Sequence, residues 1–216
     1  MKKTAIILAA ALSVICIPAG AKSKTLGNFI EKVSASLVTF DYSFSMQTPK
    51  SKSTMTGSGK VKLQDNSFYM EGNGLEVWCD GATRWTVDRL AEEALIETVD
   101  GSAESFATNP ALMIALVDEA FEEVSFGTSK FQGKVVDASV LTPKMKGKSS
   151  MDIAGLKLFF NSGTSVLSGA EITLNDGSVS EFTISGMTFK DKGEEKESFR
   201  FDEKTLGSSY VITDLR

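Results

Sequence analysis

A chain of 216 residues, 42% apolar and 24% charged, is long enough for one domain with a sizeable core. It has no histidine, which removes histidine-based triads, histidine zinc sites and the usual proton shuttle near neutral pH. A net charge of −5 with no basic stripe argues against nucleic acid as a partner.

The first residues read as an export leader. Lys2 and Lys3 give a positive start, Ala5 to Ile17 an apolar run too short for a confident membrane span, and Ala19-Gly20-Ala21 a small-residue cleavage site. Residues 1–21 are therefore expected to be a signal peptide cleaved after Ala21, and 22–216 a single exported domain. Cys16 lies in the apolar run, but the bulky Ile15 stands where a lipid-attachment site needs a small residue. Removal of the leader would leave Cys79 as the sole cysteine, so packing rather than a disulfide must hold the fold.

Leu26, Phe29, Ile30, Val33 and Leu37 recur at helical spacing, which predicts an amphipathic helix from Lys24 to about Leu37. Phe40, Tyr42, Phe44 and Met46 then alternate with polar residues, the pattern of a half-buried strand. Further strands are expected at Gly57 to Leu63 with Val61 and Leu63, at Ser67 to Glu71 with Phe68 and Met70, and at Leu75 to Cys79 with Val77. Thr83 to Val87, with Trp85, and Ala94 to Val99 continue the series. Asp80-Gly81 accepts the positive φ of a tight hairpin, so the strands on either side of it should pair.

Asn109-Pro110 opens a second helix, because asparagine caps free amides and proline fits the first turn. Its Leu112, Met113 and Leu116 lie in one apolar stripe with Val117 and Ala120. Strands follow near Val135 to Leu141, Ile153 to Phe160, Val166 to Leu174, Ser178 to Phe189, Ser198 to Phe201 and Tyr210 to Thr213, with Asn175-Asp176-Gly177 as another hairpin turn. Phe160, Phe182 and Ile184 are the inward candidates of this half. The basic loop of Lys144, Lys146 and Lys148, the pair Glu92-Glu93 and the run Asp191 to Glu197 read as solvated connections. Cys79, with no histidine to activate it, reads as a small buried residue.

The fold class is α+β: a highly curved antiparallel sheet of about eleven strands, an unclosed half-barrel with helices covering its concave apolar face. Patterning alone leaves two readings of that face. It is a core plugged by helices, or a surface that accepts ligand; the wide aromatics and the pliable Met46, Met70, Met113 and Met187 suit the second.

The order of the pieces is more specific. An apolar N-terminal helix, Gly59 to Leu63, Phe68, the segment Val77-Trp-Cys-Asp-Gly-Ala-Thr-Arg-Trp85, Asn109-Pro110 at a helix start, Leu141-Thr-Pro-Lys144 and a late Asp-Gly turn occur in one sequence. This arrangement resembles the periplasmic outer-membrane lipoprotein carrier (LolA) family over nearly the whole mature chain. The resemblance implies a half-barrel with a helical lid that shields the acyl chains of lipoproteins, receives them from an inner-membrane release complex and delivers them to an outer-membrane acceptor. It implies no enzyme activity, no cofactor and no metal, and a monomer. Acylated lipoproteins or other lipids would contact Phe40, Tyr42, Phe44, Met46, Val61, Leu63, Phe68, Met70, Val77, Phe160, Phe182 and Ile184. Trp85 would anchor the hairpin beneath a lid faced by Leu112, Met113 and Leu116. Where the family carries an arginine that latches the lid, this chain has Gln64-Asp65, an uncharged donor in place of a charge-assisted one. The same cavity would alternatively serve a lipid-sensing regulatory module.

Overall fold

The computed structural model describes residues 21–49, 53–99, 109–144, 153–193 and 196–216, together with the backbone of 14–16. Lys146, Gly147 and Lys148 of the predicted basic loop, and the rest of the predicted leader, lie outside the described residues.

Thirteen strands form one open sheet. In chain order they are β1 (Val14–Cys16), β2 (Ser36–Gln47), β3 (Thr54–Gln64), β4 (Ser67–Gly72), β5 (Leu75–Cys79), β6 (Thr83–Asp88), β7 (Glu93–Thr98), β8 (Phe121–Phe131), β9 (Lys134–Pro143), β10 (Ile153–Asn161), β11 (Leu167–Leu174), β12 (Val179–Asp191) and β13 (Val211–Asp214). Helix α1 (Lys24–Ala35) leads directly into β2, and α2 (Pro110–Ala120) directly into β8. The spatial order is β1-β8-β9-β10-β11-β12-β2-β3-β4-β5-β6-β7-β13, so the two ends do not meet. Every pairing is antiparallel except that of β13 with β7. The architecture is the expected unclosed curved sheet with helices, and β2 sits near its middle.

Local chemistry explains the boundaries. Ser23 caps α1, its Oγ accepting from Leu26 N–H at 3.2 Å. Asn109 Oδ1 accepts from the amides of Ala111 and Leu112 at 3.0 and 3.1 Å, and Pro110 occupies the first helical position, so α2 begins where the sequence predicts. In the β5–β6 hairpin Gly81 takes φ +90°, and Asp80 Oδ1 accepts from the amides of Ala82 and Thr83. Gly177 takes φ +83° in the β11–β12 turn.

Three elements differ from expectation, the first being β1, which forms within the expected leader and pairs with β8. The segment predicted as a strand at Ser198 to Phe201 starts in a 3₁₀ turn, Lys196–Phe199, and continues irregular, with Phe199 and Phe201 buried and no strand pairing. Strand β8 carries no clean alternation in sequence, since a bulge between Glu123 and Ser125 shifts its phase by one residue.

Candidate functional site

Because side chains alternate along each strand, the register decides which of them face the helices. Val38, Phe40, Tyr42 and Phe44 of β2 stand opposite Leu63, Val61, Gly59 and Gly57 of β3. Leu63 and Val61 in turn oppose Phe68 and Met70, and these oppose Cys79 and Val77. On the other side of β2, Phe182 and Ile184 pair with Phe44 and Tyr42, followed by Ala170 and Ile172 of β11 and Leu156, Leu158 and Phe160 of β10. These residues and the helices form one apolar cluster. Phe40, Val61, Leu63, Phe68, Phe160, Phe182 and Ile184 are buried in it, while Phe44 and Met70 are half-buried at its margin. Met46 lies on the same face of β2 and is likewise half-buried.

Glycines shape its floor. A Cβ on Gly57 would lie 2.5 Å from the Phe44 ring, and one on Gly59 would lie 1.8 Å from the Glu71 carbonyl and 2.9 Å from the Tyr42 hydroxyl. Only glycine permits these aromatic side chains to lie across β3. Tyr42 brings a polar group to this otherwise apolar floor, and burial pushes its phenol above the ordinary value.

The helices close the face. Phe29 of α1 meets Phe160 edge-on, with ring centroids 5.5 Å apart. In α2 the fully covered side chains are Ala111, Met113, Ile114 and Val117, whereas Leu112 and Leu116 are half-buried and pack at the edge of the same cluster. Of the three residues expected on the lid's inner face, Met113 is buried in the cluster and Leu112 and Leu116 sit at its edge, while Ile114 is buried beside Met113. Ile114, Leu156, Leu158 and Ile172 were not singled out as lining; the alternation Leu156, Leu158, Phe160 was the signal that could have found the β10 pair.

The polar ties of α2 lie at its ends. At the start stands the Asn109 cap; at the finish, Lys144 donates from its backbone to the Ala120 carbonyl at 2.9 Å and from Nζ to the Asp118 carbonyl at 2.5 Å, and the Asp118 carboxylate pairs with Lys22. Between them, contacts with the sheet are apolar among the described residues. Gln64, at the end of β3, accepts from the Gly193 amide at 3.4 Å, and its neighbour Asp65 pairs with Lys192 at 2.6 Å. These bonds tie β3 to the segment following β12.

Trp85 corrects the prediction. Its strand partner is Trp78, and Arg84 and Thr86 oppose Cys79 and Val77, so Trp85 lies on the face opposite the helices. It packs with Val87, Ala94, Ile96 and Phe201 beneath the C-terminal segment, its indole N–H donating to Glu203 at 3.0 Å. The reason is register: a one-residue phase difference across a turn sends a side chain to the other face. Cys79 is buried on the inner side, and burial raises its thiol pKa.

No group of acidic, cysteine or histidine residues able to hold a metal ion occurs among the described residues. No helix among them is long and apolar enough to cross a membrane.

The fold and its helix-covered face define an open, mostly antiparallel sheet with a continuous apolar inner surface. No family model and no curated protein sequence matches the chain. Among solved structures it is similar to a LolA superfamily protein from Nitrosomonas europaea, at 12% identity and a TM-score of 0.44, covering 83% of this chain and 99% of the other. It is also similar to a DUF1329 family protein from Desulfovibrio piger (14% identity, 85% and 96% covered, TM-score 0.46) and to an uncharacterised conserved protein from Thermus thermophilus (9% identity, 88% and 97% covered, TM-score 0.47).

Proposed function

We propose that the protein is a periplasmic, non-enzymatic carrier that holds acyl chains of lipoproteins or other lipids against its inner face, between an inner-membrane donor and an outer-membrane acceptor. The observation that carries this reading is the attachment of α2. Its polar ties are at its ends, and along its length it offers the sheet only apolar side chains, which a hydrocarbon chain can replace with little loss.

Magnitudes set the requirement on such a site. Burying acyl chain gains about 0.8 kcal/mol per methylene, so three chains of about fifteen methylenes would gain about 36 kcal/mol gross. Non-covalent affinities saturate near about 18–21 kcal/mol. The remainder must be offset by displacing contacts already made, and the inner face is filled by its own helices: Met113 and Phe29 are fully covered. Cargo enters by exchanging with α1 and α2 instead of occupying empty space.

The test is extraction of a fluorescent fatty acid, or of acylated lipoprotein, by the protein purified without detergent. Phe68→Glu places an unpaired charge on the inner face at a fully buried position, and Met70→Glu does so at a half-buried one. Both are expected to lose binding. Full parental affinity in a folded Met70→Glu variant would remove the inner face as the site. In the same assay Gln64→Arg restores the charge of the family's latch and is expected to slow release; unchanged release removes position 64 from the latch.

A further inference from the structure

Glu123 is the one charged side chain among the described residues that is buried, at 4% exposed. It sits beside the bulge near the start of β8, and both its oxygens point at a single residue. Oε2 accepts from the Ser23 N–H at 2.5 Å and Oε1 from the Ser23 Oγ at 2.9 Å. No lysine or arginine pairs with it among the described residues. A carboxylate taken out of water without a counter-charge is costly, and two hydrogen bonds with the partial positive end of α1 answer only part of that cost.

The missing cation has an obvious source one residue away. Lys22 already pairs through its side chain with Asp118 near the end of α2. Asp118 also accepts from Lys144 through its backbone carbonyl, so β8, β9 and both helices converge there. Backbone dimensions put the nitrogen of Lys22 within about 4 Å of the nitrogen of Ser23, which is 2.5 Å from Oε2, and so within about 6.5 Å of the Glu123 carboxylate. In the uncut chain that nitrogen is a neutral amide.

We propose that Glu123 is the receptor for the N-terminus created by processing after Ala21. Hydrolysis of the Ala21–Lys22 peptide bond by an export peptidase consumes one water, leaves a carboxylate on Ala21 and a protonated amine on Lys22, and this α-ammonium becomes the counter-ion of Glu123. In the uncut chain β1 pairs with Ser125–Gly127, just beyond Glu123, and Ser23 bonds Glu123 itself. Ser23 and Lys22 already tie the start of α1 to β8 and to the end of α2, and in the processed chain the ammonium adds its charge to that junction. The proposal rests on the cleavage position and not on the cargo, so the extraction assay and the experiment below fail independently.

Protein is recovered from the periplasm, and its intact mass must correspond to an N-terminus at Lys22; any other terminus overturns the proposal. The Lys22 α-amine, labelled with ¹⁵N, is then titrated by NMR. Opposite charge at this range is expected to hold it protonated to at least about one pH unit above the ordinary α-amine value near 8, and Glu123→Gln to return it to that value. Ordinary titration in the parent protein means that Glu123 serves only Ser23, and the idea falls. Because Glu123→Gln alters a buried position, a second protein beginning at Ala21 moves the charge by one residue without changing any side chain of the domain. It is expected to lose the raised titration, to melt at a lower temperature and to exchange the amides of Leu26 to Phe29 faster. Identical behaviour of the Ala21 and Lys22 forms overturns the proposal as well.

Discussion

The two faces of the β4–β7 region bury apolar side chains by opposite means. On the inner face Phe68, Met70, Val77 and Cys79 meet helices through apolar contact. On the outer face Trp85, Val87 and Ile96 meet the C-terminal segment through contact reinforced by directional bonds. Trp85 donates to Glu203, the Arg200 guanidinium lies 5.9 Å from the Trp85 ring centroid, and Arg89 lies 5.7 Å from the Phe201 ring while bonding Glu76 through two nitrogens at 3.0 and 2.9 Å. Strand β13 adds main-chain pairing to β7, extended by Leu215 N–H to the Ile96 carbonyl at 2.8 Å. Hydrogen bonds depend on geometry and are lost when partners move, whereas apolar contact is indifferent to which apolar group supplies it. The outer layer is thus held by burial together with directional bonds, and the inner layer by apolar contact.

The largest effect is expected where directional bonds and burial coincide. Trp85→Ala removes a ring that is 1% exposed and leaves Glu203 without its indole donor. It should cost about 3–5 kcal/mol in denaturant unfolding. The β13 amides should lose protection from hydrogen exchange, while acyl-probe affinity of the folded fraction stays at the parental level. A fall in affinity with α2 protection intact would mean that the two faces are not separable.

On the inner side, Ile114→Ala should cost about 2–5 kcal/mol because Ile114 is 2% exposed. Leu116→Ala, at a half-buried position, should cost less than half as much. Both should speed amide exchange over residues 110–120 without touching β13. Equal costs would show that α2 sits on the sheet with a different face from the one described.

What the sequence disclosed follows from how each signal is encoded. The alternation of Phe40, Tyr42, Phe44 and Met46 is local, and β2 occupies the middle of the sheet with those residues on its inner face. The caps Ser23 and Asn109 are local too, and α2 begins where its cap predicts. The end of α1 is less legible: Leu37 fits the helical repeat, yet the chain turns extended at Ser36, where Leu37 fits the strand as well. Trp85 was misplaced because both faces of its hairpin carry apolar residues, so alternation cannot say which face is inward; only the register with Trp78 does. Strand β8 was illegible for the bulge at Glu123. That same bulge accompanies the buried carboxylate, whose partner Ser23 lies 100 residues away and leaves no local trace.

The smallest effect, and the sharpest separation of the two layers, is expected from acid. Hydrogen bonds from Arg89 hold Glu76 below the ordinary glutamate range, with Trp78 Nε1 adding a weaker bond at 3.4 Å, against an opposing contribution from burial. A carboxylate depressed in the folded state contributes stability above its unfolded pKa and loses it as pH falls through the folded value. The outer layer should therefore weaken as pH drops below about 4.3, by no more than about 1 kcal/mol because the pair is partly exposed to solvent. Glu76→Gln should reproduce the loss at pH 7 and abolish this part of the acid response, so parent and variant stabilities converge at low pH. Exchange measured by residue should place the acid-sensitive change around Arg89 and the C-terminal segment before it reaches α2. Should parent and variant differ as much at pH 3 as at pH 7, the Arg89 pairing contributes nothing through charge, and the contrast between a bonded outer layer and an apolar inner one must rest on Trp85 and β13 alone.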